Sequence, residues 1–297
     1  MQVNKITNDG VWWIPAMEIL PSATRSRYMA PNAMSQPSQP SSAGRASGKQ
    51  AVPFKPDLTK PLVFQVGYLG EHYDDWVHQP IISRTGPRLF GPDWMEFFTQ
   101  THWWMIPLVW LPVIAFAEYR AALAGTPKVL VAPFFALGLV VWTLMEYSLH
   151  RFLFHYRTTG YWTNTLHYLL HGCHHKHPQD RFRLVMPPVL FATLSTVVAI
   201  PFFVVFPGFL VWPVYAGAIF GYICYDMTHY FVHFGVPLEL EWIRFLRRYH
   251  MAHHFKEYNA GFGITNSFWD KVFGTYPADD PKKADAASKA DAAGKAM

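Results

Sequence analysis

The sequence predicts an all-α integral membrane protein in which four transmembrane helices carry a helical cap rich in histidine. Hydrophobic residues make up 51% of the 297 residues and charged residues only 15%, whereas a soluble domain carries about a quarter charged residues. Twelve of the 15 histidines lie between His150 and His254. The composition argues against an ordinary soluble globule, and the two cysteines cannot form the disulfide framework of a small secreted scaffold.

The two ends of the chain differ in composition from the middle. Residues 21–56 are rich in Ser, Pro, Ala and Gly and contain almost no aliphatic side chain, so we expect an extension over residues 1–56 to be disordered. It lacks the apolar core of a signal peptide, and its excess of basic residues leaves a transit peptide as the alternative. Residues 278–297 repeat Ala, Asp and Lys and predict a second disordered tail. Residues 57–277 then form the membrane domain.

Three stretches without Asp, Glu, Lys or Arg predict the transmembrane helices. They cover Phe97–Ala117, Val129–Met145 and Leu184–Tyr225, which are 21, 17 and 42 residues long. A helix crosses the bilayer core in about 20 residues. The first two stretches therefore predict one span each. The third predicts two spans, with Pro207-Gly208 and Pro213 supplying the turn between them.

The histidines and the basic residues predict the orientation of these spans. With two crossings in the third stretch, the histidines that follow the second span emerge on the same face as those at the end of the fourth. Basic residues concentrate on that face, namely Arg151, Arg157, Lys176, Arg181, Arg183, Arg244, Arg247 and Arg248. Because basic loops face the cytosol, we expect the histidine-rich cap and both termini to be cytosolic.

Ten histidines form four closely spaced groups. They are His150 and His155; His171, His174 and His175; His229 and His233; and His250, His253 and His254. Residues three or four apart share one face of a helix, and neutral imidazole binds Zn, Fe, Cu and Ni. A single metal takes about four to six ligands. Ten histidines therefore predict two metal ions held close together at the membrane surface.

The nitrogen-rich ligand set leaves two kinds of chemistry open. Zinc favours hydrolysis through an activated water, whereas a pair of iron ions can use O2 to oxidise an unactivated C–H bond. The position at the membrane surface favours a lipid substrate in either case. Glu146, Asp226 and Asp270 could orient the metal-binding imidazoles without binding the metals themselves. Tyr225 and Asn266 could shape the path of the substrate.

The remaining histidines have simpler interpretations. We expect His72, His78 and His102 to be polar groups at the water line. We expect His167 and His177 either to contact metal-binding residues or to lie at the membrane interface, rather than to bind the metals themselves. Cys173, although it lies among the histidines, is expected to be a small packing residue.

Several segments together resemble one enzyme family. They are residues 60–67 (KPLVFQVG), 73–80 (YDDWVHQP), 146–155 (EYSLHRFLFH), 166–178 (LHYLLHGCHHKHP), 225–233 (YDMTHYFVH), 249–254 (YHMAHH) and 261–275 (GFGITNSFWDKVFGT). They resemble the plant fatty acid 2-hydroxylases that act on sphingolipids, within the fatty acid hydroxylase and sterol desaturase superfamily. The similarity extends from about Asp57 to Pro277. The HGCHH string at residues 171–175 is its most specific part.

The resemblance implies a ligand set, a reaction and a location. It implies that the two metals are iron in the active enzyme, with zinc possible in purified protein, and that His174 and His175 bind different metals. The reaction is insertion of one oxygen of O2 at C2 of the N-acyl chain of ceramide or dihydroceramide, at the endoplasmic reticulum. The implied ligands are His150, His155, His171, His174, His175, His229, His233, His250, His253 and His254. The candidate catalytic residues are His174, His175, Asp226 and Tyr225.

The resemblance also implies an electron donor on another chain. Fungal and animal relatives carry a fused cytochrome b5 domain with the haem-binding string His-Pro-Gly-Gly, and that string does not occur in this sequence. We therefore expect no haem in this chain, and electrons from a separate cytochrome b5 and its reductase.

Two other functions remain open from the sequence. A sterol or alkyl-lipid hydroxylase or a desaturase of the same superfamily would use the same metal chemistry, so only the product distinguishes it. A histidine-rich metal transporter would need polar ligands inside its spans, whereas the motif histidines here flank them. We expect no nucleic-acid partner, because the net charge of +5 is scattered.

Overall fold

Helices account for all the regular structure in residues 54–83, 85–235 and 240–278, the parts of the chain that the computed structural model describes. The all-α prediction is confirmed for these residues. In chain order the helices are α1 (Val63–Val66), α2 (Tyr73–Val77), α3 (Asp93–Phe97), α4 (Met105–Leu123), α5 (Lys128–Ser148), α6 (Tyr161–His167), α7 (Cys173–Lys176), α8 (Pro188–Val205), α9 (Val211–Phe234), α10 (Glu241–Phe255) and α11 (Phe268–Val272). A 3₁₀ segment, Gly67–His72, joins α1 to α2. Two π-helical segments, Leu149–Phe154 and Tyr168–Gly172, follow α5 and α6.

Three helices of the described residues are long and apolar enough to cross a membrane. They are α4, the 27-residue helix Lys128–Phe154 formed by α5 and its π-helical extension, and α8. The sequence predicted four spans, of which these three are borne out by length and hydropathy. The 42-residue stretch does divide at Pro207-Gly208, but Pro213 lies in the first turn of α9, where a proline removes no helical hydrogen bond. The expected disorder of residues 1–56 and 278–297 falls almost wholly outside the described residues, so this domain division stays a prediction.

The first membrane helix begins later than the charge-free stretch predicted. Helix α4 starts at Met105, not Phe97, and continues past Glu118 and Arg120 to Leu123. Phe97 ends α3, and the rings of Trp103 and Trp104 lie in the segment between α3 and α4, where Trp103 packs against Tyr230 and Phe231. Absence of charge does not distinguish an apolar loop from a helix, so the stretch gave the wrong bounds.

Helix α9 lies at the centre of the long helices. It packs mainly against α4 and α5, and most of its residues are buried. Small residues allow this close approach, because a Cβ added at Gly217 would overlap the carbonyl oxygen of Phe135 and one added at Gly138 would overlap that of Val214. The buried position accommodates the polar side chains of Asp226, His229 and His233 in α9, since neighbouring helices surround most of its residues.

The short helices form a cap over the ends of the long ones. An apolar cluster joins Leu62, Val66 and Tyr73 at the start of this cap to Tyr168 and Cys173. Cys173 therefore packs as expected. The Lys176 ammonium donates hydrogen bonds of 2.7 Å to the carbonyl oxygens of Trp76 and Gln79. These contacts fix α7, which carries two of the ten histidines, against α2.

Candidate metal centre

Two π-helical segments place the histidines of the first two groups. His150 lies in the segment that extends α5, and His155 caps it. His171 lies in the segment between α6 and α7, and His174 and His175 follow in α7. A π-helical turn holds one residue more than an α-helical turn and so changes the direction of the side chains that follow it. Both segments thereby direct imidazoles toward the same buried space.

Helices α9 and α10 supply the other five histidines. His229 and His233 are one turn apart at the end of α9, and both are buried. His250, His253 and His254 occupy the last turns of α10. Residues three and four apart project from one side of a helix. Each helix therefore presents its histidines to α7 and to the π-helical segments.

The ten histidines come together as two groups of five. Within each group, one nitrogen of every imidazole lies within 4.8 Å of the others. Site one consists of His150, His155, His171, His175 and His253, and site two consists of His174, His229, His233, His250 and His254. The neighbouring residues His174 and His175 thus belong to different sites.

The spacing of the nitrogen atoms fits metal ligation. The Nε2 atoms of His150 and His171 are 3.1 Å apart, and those of His155 and His253 are also 3.1 Å apart. In site two the Nε2–Nε2 distances are 3.0 Å for His174 and His229, 2.9 Å for His233 and His250, and 3.0 Å for His250 and His254. Two nitrogens bound at right angles to one ion, each at about 2.1 Å, would be about 3 Å apart.

Backbone carbonyls fix the tautomers of two imidazoles in site one. His150 Nδ1 lies 2.5 Å from the carbonyl oxygen of Phe262, and His253 Nδ1 lies 2.7 Å from that of Ala260. A carbonyl can only accept, so each Nδ1 carries the proton and each Nε2 keeps its lone pair. Both Nε2 atoms face other members of site one, as ligands to a cation would.

Burial keeps these imidazoles neutral. It lowers the pKa of His174 to about 3, and nearby His150 adds to the effect. Burial is also the largest cause that lowers the pKa values of His171 and His254 well below the usual value, with neighbouring histidines adding to it. A metal ligand must be unprotonated. The cap therefore holds its imidazoles in the form that binds a cation.

Two buried carboxylates hold the loop of residues 260–266 beside site one. Asp270 accepts hydrogen bonds from the backbone N–H groups of Phe262 (2.9 Å) and Gly263 (2.8 Å). Glu146 accepts from the N–H groups of Ile264 (2.7 Å) and Thr265 (2.8 Å). We expected these carboxylates to orient the imidazoles, and in the structure they accept hydrogen bonds from the loop that lies beside site one and from the hydroxyls of Thr265 and Thr275.

The candidate catalytic residues Tyr225 and Asp226 lie next to the sites rather than in them. The Tyr225 ring contacts the His229 ring, with centroids 5.8 Å apart, and packs against Trp142. The Asp226 side chain is buried, and its Oδ2 accepts a 3.3 Å hydrogen bond from the N–H of Met186. His174 and His175, the other two candidates, are members of site two and site one.

His78 is closer to the centre than the sequence indicated. We expected it at the water line, but its side chain is only 5% exposed. It stacks on Tyr258 with ring centroids 3.7 Å apart and contacts the rings of His155 and His175. The separation of 77 residues between His78 and His155 hid this contact, although residues 73–80 did belong to the family pattern.

His167 and His177 lie outside both groups, as expected. His167 Nδ1 accepts a 2.7 Å hydrogen bond from the hydroxyl of Tyr73. His177 is buried at 5% exposure. Neither imidazole shares the close nitrogen spacing of the ten.

An open cavity reaches site one at His155, the member of the ten with the least burial. The cavity has a volume of about 330 Å³, and its charged lining residues are Arg151 and Arg157. Arg151 donates to the hydroxyl of Tyr147 at 2.7 Å. Arg157 pairs with Asp74, and its side chain is 78% exposed. The sequence located both arginines on this face but did not connect them with His155.

Known proteins are similar to this chain in sequence and in fold. Residues 135–275 match the family model "Fatty acid hydroxylase". The chain is 50% identical over 226 residues to a dihydroceramide fatty acyl 2-hydroxylase of Arabidopsis thaliana, covering 74% of this chain and 93% of that protein. It is 38% identical to the human fatty acid 2-hydroxylase, covering 76% of this chain and 65% of that protein. A solved structure of full-length scs7p, with only the hydroxylase domain visible, matches with a TM-score of 0.70 and 39% identity over 76% of this chain and 87% of that chain.

Proposed function

The chain belongs to the fatty acid hydroxylase family, and on this premise we propose that it hydroxylates C2 of the N-acyl chain of ceramide or dihydroceramide. It is an enzyme, a fatty acid 2-hydroxylase. The observation that carries this conclusion is the convergence of ten histidines, nine of them buried, from four helical segments on two adjacent sites. Sterol hydroxylation and desaturation have no comparable support, since the similar curated enzymes act on ceramide or fatty acids by name.

Two iron ions are the proposed cofactors, with zinc as a substitute in purified protein. Site one would hold one ion and site two the other, and His174 and His175 would be bound to different ions. When bound, the pair supplies the activation of O2 needed to oxidise an unactivated C–H bond. Affinity alone does not select iron over zinc at imidazole ligands, so the identity of the metal rests on the reaction.

The residues of the chain supply the binding groups and the enclosure. Burial keeps the imidazole of His174 neutral and available, because it lowers the pKa of this residue to about 3. The apolar rings of Phe154 and Phe262 pack against His150 and help to exclude water. Tyr225 is proposed to line the approach of the acyl chain to site two. Asp226 is proposed to hold the backbone N–H of Met186 in place, just before helix α8 begins.

The overall reaction requires electrons and protons from outside the substrate. One C–H bond and one O2 molecule, with two electrons and two protons, give one C–OH group and one water. A separate cytochrome b5, reduced by its reductase, is the proposed electron source. The cavity beside His155 supports this partner, because its lining residue Arg151 presents positive charge near the least buried member of site one and would attract an acidic protein surface.

The proposed topology has four crossings with the histidine face in the cytosol of the endoplasmic reticulum membrane. Helix α9 would be the fourth crossing. Its 24 residues are long enough, and burial among the other helices removes the need for high hydropathy. Basic residues concentrated on the histidine side support a cytosolic cap and cytosolic termini.

Sphingolipid mass spectrometry tests the proposal. The chain would be expressed in cells that lack their own 2-hydroxylase but contain a cytochrome b5. We expect 2-hydroxyacyl ceramides with the intact chain and none with the double variant His174→Ala/His175→Ala. The matched control is His72→Ala, which removes an exposed histidine outside both sites.

The outcomes separate the parts of the proposal. Product from the intact chain and from His72→Ala, but not from the double variant at equal protein level, supports the reaction and the histidine requirement together. Hydroxylated sterols or new double bonds in place of 2-hydroxyacyl ceramides would overturn the assigned reaction. Equal product from the double variant would overturn the ligand assignment.

A further inference from the structure

We propose that Asp270 and Glu146 act through the loop of residues 260–266 to orient the imidazoles of site one, so that site one binds its metal ion before site two and more tightly. This inference rests on the proposed function in taking the ten histidines as metal ligands. It adds that the two sites are unequal, and it names the residues that make them so.

One peptide group connects Asp270 to His150. The carbonyl oxygen of Phe262 accepts from His150 Nδ1 at 2.5 Å, and the N–H of Gly263, on the same peptide group, donates to Asp270 Oδ2 at 2.8 Å. A carboxylate that binds the N–H end polarises the peptide and strengthens its carbonyl as an acceptor. Many metal-bound histidines donate directly to a carboxylate. Here a peptide group stands between the carboxylate and the imidazole.

The other end of the loop anchors a second member of site one. The Ala260 carbonyl accepts from His253 Nδ1 at 2.7 Å. The N–H of Gly261, on the same peptide group as that carbonyl, donates to the carbonyl oxygen of Thr275 at 2.8 Å. The hydroxyl of Thr275 in turn donates to Asp270 Oδ1 at 2.8 Å. Asp270 is therefore linked to both anchored imidazoles of site one.

Glu146 holds the C-terminal half of the loop. Its Oε1 accepts from the N–H groups of Ile264 and Thr265, and its Oε2 accepts from the Thr265 hydroxyl at 2.7 Å. Glu146 lies one helical turn before His150 on α5. The same helix thus supplies a ligand of site one and the anchor of the loop that orients this ligand.

The loop has little freedom to move. Residues 260–264 are buried, and a Cβ added at Gly263 would overlap the carbonyl oxygen of Asn266. The Asp270 side chain is fully buried, and Glu146 is 2% exposed. Buried carboxylates are costly without partners. Their partners here are backbone N–H and hydroxyl groups, so loss of the loop geometry would leave buried carboxyl oxygens without hydrogen-bond partners.

Site two has fewer such anchors. The Nδ1 atoms of His174, His250 and His254 are buried and have no hydrogen-bond partner among the described residues. His233 has one backbone partner, the carbonyl of Pro178. In site one, the backbone anchors are those at His150 and His253, and both ring nitrogens of His175 are buried without a hydrogen-bond partner among the described residues. Imidazoles without a fixed Nδ1–H lose more rotational and tautomeric freedom when an ion binds, and this lowers the affinity of site two.

The expected difference in metal affinity between the two sites can be given a size. Removal of a group that orients a metal-bound histidine lowers metal affinity by about 10- to 100-fold. We expect disruption of the loop anchor to weaken site one by this factor and to leave site two unchanged. The affinities of the two sites would then become similar.

Cobalt binding to the purified full-length chain in detergent tests the inference without reference to hydroxylation. Co²⁺ would be added to metal-free protein while absorbance and bound metal are measured, and release to excess EDTA would be followed over time. We expect two ions per wild-type chain, released in one fast and one slow phase. His253→Ala should remove the slow phase and His250→Ala the fast phase, which assigns each phase to its site.

The variants Asp270→Asn and Thr275→Val then test the loop. Asp270→Asn should accelerate the slow phase about 10- to 100-fold, and the milder Thr275→Val should have a smaller effect in the same direction. The matched control is Glu96→Gln. Glu96 is also a buried carboxylate, accepts from the N–H groups of Leu89 and Phe90 and pairs with Arg183, but it belongs to neither site. Size-exclusion profiles of all variants check that they fold.

Each outcome decides between the alternatives. A slow phase that accelerates in Asp270→Asn but not in Glu96→Gln supports the inference. Equal acceleration of both phases, no acceleration, or assignment of the slow phase to site two would overturn it while leaving the proposed function intact. Fewer than two ions per wild-type chain would instead overturn the two-metal centre of the proposed function.

Discussion

His167 provides a direct test of how burial controls the acid stability of the cap. Its imidazole is 7% exposed and accepts a hydrogen bond from the Tyr73 hydroxyl at 2.7 Å. It also bonds to the backbone of Phe154. Burial lowers the pKa of His167 to about 4, although the bond to Phe154 acts in the opposite direction. It belongs to neither metal site, so its titration can be studied in metal-free protein.

The sign and size of the effect follow from the two pKa values. The unfolded chain binds a proton at His167 below a pKa of about 6.5, whereas the folded chain does so only below about 4. The contribution of His167 to stability is therefore fully present above about pH 6.5 and is lost as the pH falls toward 4. Between about pH 7.5 and 5 the loss is about 2 kcal/mol.

The variant His167→Gln removes this titration. The amide can still donate to the Phe154 carbonyl, but the bond with Tyr73 is weakened, so we expect a loss of about 1 kcal/mol at neutral pH. On acidification to about pH 5, the wild type loses about 2 kcal/mol of folding stability that the variant does not lose. The variant should then match or exceed the wild type in stability. The matched control is Tyr73→Phe, which removes the same hydrogen bond but keeps the imidazole.

Thermal unfolding of metal-free protein in detergent, followed by tryptophan fluorescence across this pH range, is the assay. We expect the stability curves of wild type and His167→Gln to converge or cross on acidification, and that of Tyr73→Phe to run parallel to the wild type. Parallel curves for wild type and His167→Gln would refute the argument, since they would mean that His167 is protonated in the folded state or remains neutral in both states.

Three further predictions concern the electron donor, the helix packing and the metals. Arg151→Glu in the cavity beside His155 should raise the KM for reduced cytochrome b5 by about tenfold, equivalent to about 1.4 kcal/mol, with a smaller effect on kcat. Lys60→Glu, which reverses an exposed charge paired with Asp57, should leave both constants unchanged. Gly217→Val should lower the yield of folded protein strongly, because its side chain would overlap the Phe135 carbonyl; wild-type thermal stability in purified Gly217→Val would contradict this close packing. Chelation should abolish 2-hydroxylation, and ferrous iron should restore it while zinc should not; restoration by zinc would count against iron as the active metal.

The sequence predicted the helical class and the grouping of the ten histidines because both are local properties. Spacings of three and four residues place His250, His253 and His254 on one helix whatever the rest of the chain does. Hydropathy likewise located the helix Lys128–Phe154, though not its π-helical end. These features depend on neighbours within a few residues.

Contacts between distant segments were beyond such reasoning. The position of His78 depends on the packing of α2 against α7. The division of His174 and His175 between two sites depends on where α9 and α10 end, and it was implied by the family resemblance rather than by any spacing. The sequence marked Glu146 and Asp270 as possible orienting groups, yet it could not show that a loop stands between them and the imidazoles. Such an arrangement requires the backbone path of residues 260–266, which no spacing rule specifies.

The burial of α9 has a consequence for how the chain enters a membrane during synthesis. The ribosome completes α4, α5 and α8 first, and each of these is apolar enough to leave the translocon for lipid by itself. Helix α9 carries Asp226, His229 and His233 and gains less from lipid. Its contact with Gly138 of α5 replaces that gain by packing between helices. With α9 as the fourth crossing of the proposed topology, its insertion would depend on its neighbours, and a fault in α5 would disturb the metal centre by preventing α9 from joining the membrane.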